Sequence, residues 1–148
     1  FEMDADFSHD PNDLPRLLEA CKPEGVGMSV GSRYCKGGKV KDWPLGRYLM
    51  SYFASVYVRM VLCLNIKDTT SGFKCYKRKV LETIDLDKIR FMGYAFQIEM
   101  KYTAKLHGFK LVEVPITFID RIYGESKMSP KIFKEAFFGV ILIRGKEL

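Results

Sequence analysis

From Pro44 to about Leu64, apolar residues recur at three- and four-residue intervals: Leu45, Tyr48, Leu49, Tyr52, Phe53, Val56, Tyr57, Met60, Val61 and Leu64. That spacing predicts one long helix with a broad apolar arc. A narrower polar strip on the same helix holds Arg47, Ser51, Ser55 and Arg59. Roughly 20 residues are enough to cross a bilayer, but two arginines within the span make crossing costly. The helix is therefore expected to lie in the plane of a membrane interface or to pack on the domain.

The rest of the chain alternates between extended and helical patterns. "FEM" reads as the end of a buried strand that leads into an acidic turn. "HDPNDLPRLLEAC" carries helix-start chemistry, with Asn12 or Asp10 as cap candidates and Pro15 in the first turn. "GVGMSVGSRY" is small, apolar and extended, a strand ending at Arg33. "CKGGKVKDWP" shows no periodicity and is expected to be a mobile basic loop. "DTTSGFKCYKRKVLETI" reads as a polar turn, a short strand and a helix. "YAFQIEMKYTAKLHG" is a second amphipathic helix closed by Gly108. "FKLVEVPITFIDR" alternates as a strand ending at Arg121, and "SPKIFKEAFFGVILI" is a terminal helix. The order predicts an α/β layered fold without internal repeats.

Composition changes this picture only in places. The 148 residues suffice for one domain with a real core, and nearly half of them are apolar, which argues against disorder. The net charge of +6 favours an anionic partner. No run interleaves arginines with aromatics, so nucleic acid is not favoured. Cys21, Cys35, Cys63 and Cys75 are widely spaced, and with only His9 and His107 beside them a zinc site is not expected. Both histidines are read as structural, and the thiols as reduced and mostly packed. Nothing in the first residues has the form of a signal peptide, so a cytoplasmic location is the default expectation.

Two carboxylates one residue apart, Asp4 and Asp6, lie where a strand runs into a turn. Such a pair suits a hard divalent ion that shares its shell with substrate phosphates, although the same pattern also serves as an ordinary solvated turn. Arg33, Arg47 with Ser51 one helical turn on, and Arg121 supply complementary positive charge. Each arginine alone can be a solvated element end. Arg47 with Ser51 says more, because both occupy the polar strip of a helix that otherwise seeks a membrane. That combination suits a ligand with a charged head and a greasy tail. Trp43 and the nearby tyrosines fit either interfacial anchoring or core packing.

Taken in order, "MDADFSHDP", "VGSRY", "WPLGRYLMS", "DTTSGFKCY", "YAFQIEMKYTAKLHG" and "VEVPITFIDRIYGESKMS" resemble the inverting family 2 glycosyltransferases of the dolichyl-phosphate mannosyltransferase type. The resemblance runs through essentially the whole chain. It implies a glycosyltransferase-A (nucleotide-diphospho-sugar transferase) fold and transfer of mannose from GDP-mannose to dolichyl or another polyprenyl phosphate. It further implies that Asp4 and Asp6 hold Mg²⁺ or Mn²⁺. Ser8 stands where relatives often offer Gln as a further ligand. Arg33, Arg47 and Ser51 match positions that grip the acceptor phosphate. Arg121, Ser126 and Lys127 match a loop that closes over donor and acceptor phosphates, and Glu99 matches the position of a catalytic carboxylate. Asp68 and Gly72, in "DTTSGF", lie near the expected sugar site, and catalysis would fall to Asp6, Glu99 and Arg121.

The resemblance also implies that residues 1–148 form the C-terminal portion of a single catalytic domain, lacking the N-terminal nucleotide-binding strands. On that expectation the polypeptide alone binds GDP-mannose poorly, turns over little, and dimerises through an uncovered face. The protein is expected at the cytoplasmic face of a membrane, held peripherally. Two rival readings stay open. One is a polyprenyl-phosphate glucosyltransferase or another family 2 sugar transferase. The other is a non-catalytic membrane-surface or interaction module.

Overall fold

A computed structural model of the chain describes residues 1–120 and 130–145. Its centre is β1 (Val26–Ser32), whose seven residues are all buried. Small and apolar residues suit a strand covered on both faces. β1 pairs in parallel with β4 (Lys110–Pro115) and antiparallel with β3 (Lys74–Tyr76), giving the order β3-β1-β4. A bulge between Val26 and Met28 turns Val26 towards a different layer from Met28 and Val30. On one side α1 (Leu14–Cys21) brings Leu17 and Cys21 against Val26, Phe73 and Ile116. On the other, α3 (Arg78–Thr83) and α4 (Gly93–Leu106) bring Val80, Met100 and Ala104 against Met28 and Val30. A third cluster joins α2 (Leu45–Leu62), α4 and α5 (Pro130–Arg144) through Val58, Leu62, Ile98, Val140 and Ile143.

Several expectations need correction. "FEM" contributes one antiparallel bridge, Glu2 to Lys74, while Phe1 and Met3 stand exposed; it is not a buried strand. "FKLVEVPITFIDR" is two strands, because the chain changes partners at Ile116, whose N–H donates to Ser32 of β1 (3.1 Å) while its carbonyl accepts from Lys39 (2.9 Å): β4 belongs to the central sheet and β5 (Thr117–Ile119) to a second one. Part of the supposed mobile loop is its partner, β2 (Lys39–Lys41), parallel to β5. Gly38 enters that strand so close to Ser32 that a Cβ would lie 2.5 Å from its carbonyl oxygen. That contact explains a glycine where composition alone suggested a loop. α4 is buried on nearly all sides, with Glu99 and Lys101 inside, and is not amphipathic.

The long helix is present, but its polar strip turns inward beside Val58 and Leu62 while part of its apolar arc faces out. Ser51 and Ser55 of the polar strip are buried, whereas Leu45 (72 %), Phe53 (62 %) and Met60 (67 %) are exposed. Beside it, α5 exposes Phe138, Ile141 and Leu142. Tyr57 of α2 stacks on Phe137 of α5 at 4.4 Å, and Arg144 donates to the Val61 carbonyl at 2.8 Å. The two helices therefore run side by side and share an apolar outer surface. Among the described residues no helix is long and apolar enough to cross a membrane.

Candidate active site

The turn after Glu2 is built by its own polar groups. Ser8 donates its backbone N–H (3.1 Å) and its hydroxyl to Asp6 Oδ1. Phe7 between them takes a left-handed conformation (φ 61°), and the Ile119 N–H donates to the Ser8 carbonyl, tying the turn to β5. Asp4 donates its backbone N–H to His9 Nδ1 at 3.2 Å. Gly72 comes up beside Asp4: a Cβ there would stand 3.3 Å from Oδ1 of the carboxylate. Ser8 is wholly buried behind Asp6, so its hydroxyl steadies that carboxylate and is not presented as a ligand.

Arg33 leaves the end of β1 and is only 8 % exposed. Its Nε donates to Asp68 Oδ2 (2.7 Å), its Nη2 to Asp68 Oδ1 (2.8 Å), and its backbone N–H to Oδ2 (2.9 Å). Nη2 also donates to Thr70 Oγ1 at 2.9 Å. Asp68 is fully buried. Burial pushes its carboxyl up, but the Arg33 charge and the bonds from Arg33 outweigh that and hold it below the usual carboxylate value. The fork of Arg33 is thus committed to Asp68, and among the described residues Nη1 alone is left without a partner. Asp68 lies behind the arginine and not on the open side.

Arg47 is placed differently. Its Nη1 donates to both Asp120 oxygens at 2.9 and 3.0 Å, and its guanidinium lies 4.2 Å from the Trp43 ring centre. Its Nε and Nη2 have no partner among the described residues, so one complete edge is available to an anion. One turn along α2, Ser51 Oγ accepts from the Tyr34 hydroxyl at 2.7 Å and keeps its own proton to donate. Arg121, Ser126 and Lys127 lie outside the described residues.

These groups meet in one cavity of about 310 Å³. Its polar end is lined by Asp4, His9, Arg33, Arg47, Ser51, Thr70 and Gly72, so the acidic turn and two of the predicted arginines share a cleft. From there it runs between α2 and α5 along Phe53, Ala54, Tyr57, Val58, Phe137 and Val140. A charged mouth and an apolar throat are continuous.

Residues 1–85 match the family described as glycosyl transferase family 2. The chain belongs to glycosyltransferase family 2. Polyprenol monophosphomannose synthase of Mycolicibacterium smegmatis is 48% identical over 147 residues, which cover 98% of this chain and 55% of that protein. Undecaprenyl-phosphate mannosyltransferase of Micrococcus luteus is 47% identical over 139 residues, 94% of this chain and 56% of that one. Dolichol-phosphate mannosyltransferase of Pyrococcus furiosus is 42% identical over 135 residues, 90% and 37% respectively. The chain spans about half the length of the first two. Family 2 membership carries the glycosyltransferase-A fold, and the α/β layering described above agrees with it.

Seen as part of a family 2 fold, three groups stand where sequence reasoning did not place them. Glu99 is buried, and its Oε2 accepts the backbone N–H groups of Arg90 (3.0 Å) and Phe91 (3.1 Å); it does not line the cavity. Lys101, also fully buried, donates to the carbonyls of Thr69 (2.9 Å) and Ser71 (2.7 Å). Burial, then the nearby Lys74 charge, push its ammonium well below the usual value. It fastens the loop that carries Thr70 to Arg33 and Gly72 to Asp4, a role no residue pattern announced. His9, read as structural, packs against Phe73 and also lines the cavity. Burial, more than any neighbouring charge, pushes its imidazole below the ordinary value and favours the neutral ring. Its place in the same tight turn as Asp4 and Asp6 was the available signal.

Proposed function

We propose that the protein transfers mannose from GDP-mannose to a polyprenyl phosphate, of dolichyl or undecaprenyl type, with inversion at the anomeric carbon. The observation that carries this reading is the single cavity whose charged end adjoins Asp4 and whose apolar throat opens between α2 and α5. A polyprenyl chain is much longer than a cavity of about 310 Å³ can hold, so its remainder would follow the exposed apolar surface of the two helices. The names of the relatives, all mannosyl transfer to or synthesis on a polyprenol-type lipid, point the same way.

The chemistry follows from the groups present. A phosphomonoester has its second pKa near ~6 and is mostly dianionic at neutral pH, so the nucleophile needs orientation more than deprotonation. The Nε/Nη2 edge of Arg47, Nη1 of Arg33 and the Ser51 hydroxyl would supply that orientation. An acceptor oxygen bonds to the anomeric carbon as the bond to the diphosphate breaks, and GDP leaves with the electron pair. No general base is required, and no such role is proposed for Glu99. Asp4 and Asp6 would hold Mg²⁺ or Mn²⁺. Two carboxylates would leave the rest of the ion's shell to substrate phosphate and water. When bound, the ion offsets charge on the departing diphosphate.

The test is transfer by the full-length protein from radiolabelled GDP-mannose to a polyprenyl phosphate in detergent. A labelled, mild-acid-labile lipid is expected, and preference for UDP-glucose would favour the glucosyl alternative instead. In the same assay Arg47→Ala is expected to raise KM for the lipid about 10- to 100-fold, the worth of a charge-assisted pair of hydrogen bonds. An unchanged KM would remove Arg47 from the acceptor site.

The exposed surface of α2 and α5 supports a peripheral place on a membrane, and the free thiols suit its cytoplasmic face. Phe53→Glu combined with Phe138→Glu is expected to cut co-sedimentation with anionic vesicles at least about tenfold, through lost apolar burial. Equal sedimentation of variant and wild type would count against this orientation.

A further inference from the structure

His9 is 4 % exposed. Its ring is held by stacking on Phe73 (centroids 4.7 Å, planes 20° apart) and by an edge contact with Phe118 (5.3 Å). Because Nδ1 accepts the Asp4 N–H, the proton of the neutral ring is on Nε2. Among the described residues nothing accepts from Nε2, yet the atom is not sealed from open space. The open space beside His9 is the cavity it lines. The Nε2–H therefore faces space that a ligand oxygen or a water can fill.

The surroundings say what the missing acceptor would be. Trp43 and Phe118 meet edge to face at 5.3 Å and form an aromatic floor. The Arg33 guanidinium lies 5.5 and 5.4 Å from their centres, and Arg47 lies 4.2 Å from Trp43. His9 touches the same Phe118 ring. Two guanidiniums and one imidazole therefore gather about one aromatic pair.

We propose that His9 donates a hydrogen bond through Nε2–H to a non-bridging oxygen of the acceptor phosphate lodged between Arg33 and Arg47. The proposal rests on the lipid-phosphate reading of the cavity. It makes His9 a ligand-binding residue with two duties: Nδ1 holds the acidic turn, and Nε2 reads the phosphate.

The test measures binding of citronellyl phosphate, and separately of GDP, to the full-length protein by calorimetry. His9→Asn places an acceptor where Nδ1 was and no donor in the cavity; it is expected to weaken citronellyl phosphate about tenfold and leave GDP unchanged. His9→Gln restores a longer amide donor and is expected to recover affinity to within about threefold of wild type. In ¹⁵N NMR of the wild type, the His9 ring is expected as the neutral Nε2–H form, with that resonance moving on addition of citronellyl phosphate. Undiminished binding by His9→Asn, equal loss in both variants, a loss confined to GDP, or an Nδ1–H ring would each overturn the proposal. The underlying reading fails separately: Arg47→Ala would then also bind citronellyl phosphate as the wild type does. No binding to the wild type would remove both. The NMR measurement keeps the question decidable even where a variant folds poorly.

Discussion

Asp68→Asn is expected to lower unfolding free energy by about 3–5 kcal/mol, measured by urea denaturation, because it strands a buried guanidinium without its counter-charge. Arg33 is 8 % exposed and Asp68 fully buried, and three of the Arg33 N–H groups end on that one carboxylate. Breaking one half of such a pair is worse than never having built it. Acid should reproduce the effect in the wild type. The folded-state pKa of Asp68 lies below its unfolded value, so the stabilisation is complete above that unfolded value, near ~4, and is lost as pH falls through the folded one. Stability of the wild type should therefore fall away below about pH 4, and Asp68→Asn should lack that portion of the acid dependence. A variant as stable as the wild type would mean that Arg33 finds water once its partner is gone.

Asp4→Asn tests the opposite kind of residue, one that the fold can spare. Asp4 is exposed at the cavity mouth, so a near-isosteric change should alter stability by no more than about 0.5 kcal/mol. If Asp4 holds a metal for mannosyl transfer, as proposed, transfer by the full-length protein should nevertheless fall about 10³-fold, since a catalytic metal contributes several kcal/mol and each 1.36 kcal/mol is a tenfold change in rate. Titration with Mn²⁺ should show a raised requirement for the ion. Full activity with an unchanged metal requirement would remove Asp4 from the metal site and reduce the acidic turn to a structural feature. Measured together, the two substitutions separate the group that builds the cleft from the group that works in it.

What could be read from residues alone followed a physical divide. Local order was legible: the period of α2, the all-buried run of β1, Pro15 in the first turn of α1 and Gly108 (φ +82°) just beyond α4 each follow from short-range chemistry. Partnership was not. Nothing in the sequence ties Arg33 to Asp68 and Arg47 to Asp120, so the unequal freedom of the two arginines could not be read from it. Lys101 lies in a helix read only as amphipathic, and that pattern did not announce its bonds to the Thr69 and Ser71 carbonyls. "FKLVEVPITFIDR" read as one strand because alternation records burial and not which sheet supplies it. His9 was assigned to packing, which is true of its faces and incomplete for its nitrogens. The sequence resemblance ordered the motifs correctly along the chain but could not say which side chain stands in front of which.

The outward-facing apolar residues of α2 set a conflict for anyone handling the protein. Leu45, Phe53 and Met60 are natural targets for substitution by charged residues when a sample precipitates in plain buffer. If those side chains are also the ones that meet the bilayer, and the acceptor is the proposed polyprenyl phosphate, each gain in solubility removes part of the protein's hold on the phase where that lipid is dissolved. Detergent or nanodiscs would then serve better than surface redesign, and the best-behaved variants in the test tube would be the poorest at finding lipid.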